Sequence, residues 1–105
     1  MNPIEFALSG LTEIELAAIA QATYAKPSPP GVSGLMAWIE SALDVERHRR
    51  AGIDLPLPPP SAAIDESDEV AALKGAIALR DTAPDDRIHA LFDAVVNVLT
   101  RVTRH

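Results

Sequence analysis

Apolar residues in this 105-residue chain recur three and four positions apart more often than they alternate, a spacing that predicts helices. The strongest run is the last. Ile88, Leu91, Phe92, Val95, Val96, Val98, Leu99 and Val102 cover a wide arc of one helix. The run is rich in β-branched residues, but Ala90, Asp93, Ala94 and Asn97 break the two-residue alternation of a strand. A helix over about Ser67–Arg80 precedes it, with Val70, Leu73 and Ile77 facing one way and Ala76 beside them. Asp81–Asp86 forms the turn between the two, and Pro84 suits a first helical turn.

The N-terminal half carries clear stop and start signals. Asn2, Pro3 and Glu5 fit the N-cap, first and third positions of a short helix that Gly10 ends. Thr12 and Glu15 then form a capping box, with Leu11 placed as a hydrophobic staple for a helix running to Tyr24. Ile14, Ala18 and Ala22 share one stripe of that helix, widened by Leu16, Ile19 and Ala20. The prolines of Lys26–Gly31 end it. Ser33 is the expected cap of the next helix, whose stripe is Leu35, Trp38, Ile39, Ala42 and Leu43. Trp38 therefore reads as core. ERHRR closes this helix with charges that suit a C-terminus, and Gly52 is the expected stop residue.

Prolines 56, 58, 59 and 60 make residues 52–63 a connector of extended or polyproline character, without regular helix or strand. Ile53, Leu55 and Leu57 are available to pin it to the surface. The acidic run Asp65–Glu69 that follows suits a helix N-terminus. The fold expected is all-α. It is a single domain over 1–105, a small four-helix bundle made of two helical hairpins, with a short extra N-terminal helix.

Composition supports this reading. Eighteen alanines and eleven leucines favour helix, and only four aromatic residues are present. There is no cysteine, which excludes disulfides and thiolate metal sites. The net charge of −6 opposes binding to nucleic acid or to an anionic membrane. No basic leader and no bilayer-length apolar stretch is present, so the expected location is cytoplasmic.

Candidate chemistry is sparse. The five glycines are scattered and form no phosphate loop, and neither a nucleophile elbow nor an HExxH pair occurs. No catalytic residue and no cofactor is assigned. Asp85, His89 and Asp93 share one side of the last helix and are weak candidates for metal binding. The plainer account is a solvated polar face, and no metal is expected. His48 belongs to a helix end, and His105 is terminal. ERHRR is the one basic concentration. Its uses are a helix end paired with the Asp65–Glu69 run, a protein contact, or a phosphate contact. PLPPP resembles a polyproline ligand, and its simpler use is a stiff connector.

The leading function class is a non-catalytic protein–protein interaction module, an adaptor or accessory subunit. A small enzyme or ligand-binding protein with a pocket between helices is one alternative. A helix-turn-helix-like DNA-binding regulator is another, weakened by the acidic surface. A protein partner is expected, and a homodimer through the last helix is the specific expectation. Its interaction residues are Ile88, Leu91, Phe92, Val95, Val96, Leu99 and Val102, whose apolar arc exceeds what a short alanine-rich neighbour can cover.

Overall fold

A computed structural model describes residues 3–24 and 31–103, the side chains of Tyr24, Val102 and Thr103 excepted. Five α-helices and no strands occur among these residues: α1 (Pro3–Ser9), α2 (Glu13–Tyr24), α3 (Ser33–Arg50), α4 (Glu69–Asp81) and α5 (Asp86–Thr103). The chain is a small all-α domain, a helical bundle with an extra N-terminal helix, as the periodicity predicts. The expected Asn2 cap and most of the Lys26–Gly31 stop lie outside the described residues.

Helix α5 forms the centre. Ile88, Leu91, Phe92, Val95, Val96 and Leu99 are each at most 6% exposed. Burial of such side chains contributes about 1.5–3 kcal/mol apiece. Helix α4 lies along α5 as a hairpin. Its buried residues are Ala72 and Ala76, small enough to bring the two backbones close, with Leu73, Ile77 and Leu79 at the margins. Val70 departs from the expected stripe and is 61% exposed. Ile4 and Leu8 of α1 enter the core, as do Leu16 and Ile19 of α2 and the whole Leu35–Leu43 stripe of α3.

The face of α2 differs from the expected one. Ile14 is 82% exposed and Ala22 is exposed, while Glu15, Leu16, Ile19 and Thr23 are turned inward. Alanines surround this helix, so hydrophobic contrast fixes no face. Packing of Leu16 and Ile19 into the core decides it. Its start follows the sequence closely. Thr12 N–H donates to Glu15 Oε1 at 2.8 Å and Glu15 N–H to Thr12 Oγ1 at 3.1 Å. Leu11, the expected staple, and Leu16, four positions into the capped helix, are both core residues.

Helix α3 begins differently from expectation. Val32, not Ser33, occupies the N-cap position and makes no side-chain cap. Val32 is 4% exposed, so packing of its side chain outweighs a hydroxyl cap here. The same turn passes so close to the connector that a Cβ on Gly34 would collide with the Ala63 carbonyl. At the other end, Gly52 adopts φ +89°. That left-handed turn lets Gly52 N–H reach Arg49 C=O at 3.1 Å and Ile53 N–H reach His48 C=O at 2.8 Å.

The connector is irregular through Pro59, but Pro60–Ala63 turns into a 3₁₀ helix, and Glu66–Asp68 forms a second one before α4. The expectation of no regular helix over 52–63 therefore fails at its last four residues. Proline at the first position of that turn supplies φ without needing a donor. Pro60 is buried, Leu57 is half-buried against the core, and Ile53 stays 51% exposed. The buried Trp38 indole donates to Pro58 C=O at 2.8 Å and fastens the segment to α3.

Candidate functional site

The residues singled out in the sequence disperse in the fold. Asp85 is the N-cap of α5: its Oδ1 accepts Ile88 N–H at 2.9 Å, and its carbonyl accepts His89 N–H at 3.0 Å. Pro84 consequently lies before the cap rather than in the first turn. Asp93 faces the Arg80 guanidinium at 3.5 Å, and His89 is exposed. No group of three His, Asp or Glu side chains that could hold a metal ion occurs among the described residues. His48 Nδ1 lies 2.8 Å from the carbonyl of Asp44, one turn back on α3. His105 is outside the described residues.

The ERHRR cluster is divided. Arg50 turns onto the protein, with Nη1 donating to Glu13 Oε1 at 3.0 Å and Nη2 to the carbonyls of Leu8 and Leu11. It also lies 3.7 Å from Glu46, whose side chain is only 3% exposed. The basic end of α3 thus clasps the α1–α2 turn. Among the described residues it makes no ion pair with the Asp65–Glu69 run, one of the three uses open to it from the sequence.

The six described residues of the expected dimer seam, Ile88, Leu91, Phe92, Val95, Val96 and Leu99, are placed in the chain's own core. They are covered by this chain's own helices. The Val102 side chain lies outside the described residues.

A different face of α5 is open. Arg87, Ala90, Ala94, Asn97 and Arg101 recur at three- and four-residue spacing along one stripe, all exposed except the half-buried Ala94. Helix α1 runs beside this stripe and leaves a groove of about 470 Å³. Its walls are mainly apolar: Phe6 and Ala7 from α1, and Ala90, Ala94 and Val98 from α5. Phe6 is 72% exposed, although Ile4 and Leu8 on the same short helix are buried. Arg87 and Arg101 stand toward the two ends of the α5 wall, with Asp93 and Asn97 between them. A second crevice, between α2 and the α4–α5 turn, measures about 60 Å³ and admits little more than water.

The groove's arginine end is tied to a pair of helix starts. Arg87 Nη1 lies 3.4 Å from Glu15 Oε1, so the capping box of α2 meets the first turn of α5. The Glu15 carboxyl is held down at about 2, against an ordinary value of 4.5. Thr12 N–H is the main cause, followed by the Asp85 carboxyl, with the Thr12 hydroxyl and Arg87 helping against the effect of burial. Because the folded value lies below the unfolded one, the ionised carboxylate contributes stability that is complete above about pH 4.5 and disappears as pH falls toward about 2. Glu15→Gln keeps an acceptor for the cap and removes this charge. In urea denaturation its deficit relative to wild type is expected to be constant near neutrality and to vanish by about pH 2. A deficit unchanged across that range would place the effect in shape rather than charge.

No protein-family model, curated protein or solved structure matches the chain. No helix among the described residues is long and apolar enough to cross a membrane.

Proposed function

We propose that the chain is a non-catalytic protein–protein interaction module whose docking surface is the groove between α1 and α5. The observation that carries this reading is the groove itself. A large aromatic, Phe6, stands 72% exposed at its edge. Its walls are otherwise mostly small apolar side chains, with Arg87 and Arg101 toward the ends of the α5 wall and Asp93, which faces Arg80, between them. An apolar centre with a polar rim is the anatomy of a protein-binding patch. The small alanines of the α5 wall suit a helix laid along it, since close approach of two helix axes needs small side chains at the contact.

The test is a titration of the ¹⁵N-labelled full chain with a neutral, helix-stapled amphipathic peptide of about five turns, followed by amide chemical shifts. Shifts concentrated on α1 and on the outer stripe of α5 are expected. Shifts confined to other faces, or none at millimolar peptide, would overturn the reading.

A further inference from the structure

We propose that the helix taken by this groove is an acidic one, carrying carboxylates at two points about four turns apart, and that a second copy of this chain is not the occupant. The proposal rests on the docking reading above and specifies the partner.

The chain carries −6 overall, yet the α5 wall of the groove has an arginine toward each end. Arg87 and Arg101 are fourteen residues apart, about 21 Å along a helix, and fall on the same side of it. Arg101 is exposed and makes no ion pair among the described residues. Arg87 is 62% exposed and faces Glu15 through one nitrogen, which leaves donors of its guanidinium for a second carboxylate. The groove's acidic group, Asp93, already faces Arg80 at 3.5 Å. A helix with carboxylates at both ends meets a guanidinium at each. A helix with lysines there meets like charge twice.

The same placement argues against self-association on this face. Two copies of α5 packed antiparallel would bring Arg87 of each against Arg101 of the other. Packed parallel, they would bring like residues together. Either way the two ends of the contact repel. An acidic helix is rejected by most of the surface and accepted at this stripe, which gives the groove selectivity as well as affinity.

The experiment uses three stapled peptides sharing one apolar stripe, with Glu, Gln or Lys at the two end positions, titrated into the full chain at low salt. The Glu peptide is expected to bind about tenfold more tightly than the Lys peptide, with the Gln peptide between them. This preference should fade as salt is raised toward half molar. Arg101→Gln is expected to weaken the Glu peptide about threefold and leave the Gln peptide unchanged. Equal binding of all three peptides overturns the acidic-partner proposal while leaving the docking groove standing. Binding of none overturns both. Concentration-dependent shifts on the α5 stripe without any peptide would identify a second copy as the occupant and overturn the proposal.

Discussion

Arg50→Met is expected to remove a large share of the stability of the fold. The Arg50 side chain is 28% exposed and serves four acceptors from three parts of the chain. It covers the carbonyl of Leu8 near the end of α1 and that of Leu11 in the following turn, and it pairs with Glu13 at the start of α2. It is also the only cation within ion-pair distance of Glu46 among the described residues, and Glu46 Oε2 is buried without a hydrogen-bond partner. Methionine keeps most of the packing of the stem and removes all of these contacts. What remains is a carboxylate inside the protein with no counter-charge, at a cost of about 3–5 kcal/mol. A domain of this size is stable by about 5–15 kcal/mol in total. The thermal midpoint should therefore fall by about 15 °C or more, read by circular dichroism.

The partner substitution should behave oppositely. Glu46→Met removes a buried carboxylate whose second oxygen is already unsatisfied, and Arg50 keeps Glu13 and its two carbonyls. Its effect is expected within about 1 kcal/mol of zero, on either side. Placed on top of Arg50→Met, it should recover much of the lost stability. If Arg50→Met costs less than about 1 kcal/mol, the clasp is a surface ion pair and nothing more. If the double substitution is no better than Arg50→Met alone, the lost carbonyl contacts carry the effect rather than the stranded carboxylate.

The contrast between the legible and illegible parts of this molecule follows sequence separation. The Thr12–Glu15 capping box, the Gly52 stop and the stripe from Ile88 to Leu99 are each written within a few turns of chain, and the structure holds all three. Arg50 meets Glu13 across 37 positions and Arg87 meets Glu15 across 72, distances at which nothing local marks a pair. The faces of α2 and α4 were obscured for another reason. Alanine on every side makes the apolar stripe nearly uniform, and Ile14 and Val70, which the helical spacing puts on the expected stripes, are exposed. The acidic and histidine cluster was misleading because spacing on a helix ignores prior commitments: Asp85 is occupied as a cap and Asp93 faces Arg80. The groove was half legible. The spacing of Arg87, Ala90, Ala94, Asn97 and Arg101 is helical, but alanine and polar residues give no hydrophobic contrast, and its other wall, Phe6, comes from the opposite end of the chain.

Trp38→Ala is expected to be the second most damaging change, and Trp38→Phe to separate the two things the indole does. Trp38 is 2% exposed in the middle of α3 and is among the largest fully enclosed side chains. Truncation to alanine opens a cavity the surrounding helices can only partly close, at a cost of about 3–5 kcal/mol. Phenylalanine refills most of that space but has no donor for Pro58 C=O, which the indole holds at 2.8 Å. The missing hydrogen bond is worth about 1 kcal/mol globally. Its local consequence should be larger. Residues 53–59 form no helix, Ile53 is exposed, and the indole bond holds Pro58 two positions before the buried Pro60. With that bond gone, opening of the segment no longer has to break it, and local opening is what a protease or exchanging solvent detects. Trp38→Phe should therefore keep the helical circular dichroism of the wild type while cleavage at the Gly52–Ile53 and Ile53–Asp54 bonds, the stretch of the connector free of proline, accelerates several-fold under limited proteolysis. Global unfolding cannot account for such a result, since helix α3 would then be cut as readily as the connector. Unchanged cleavage in a folded Trp38→Phe protein would mean that Pro60 and Leu57 alone hold the connector down, and that the indole bond serves only to satisfy a buried donor.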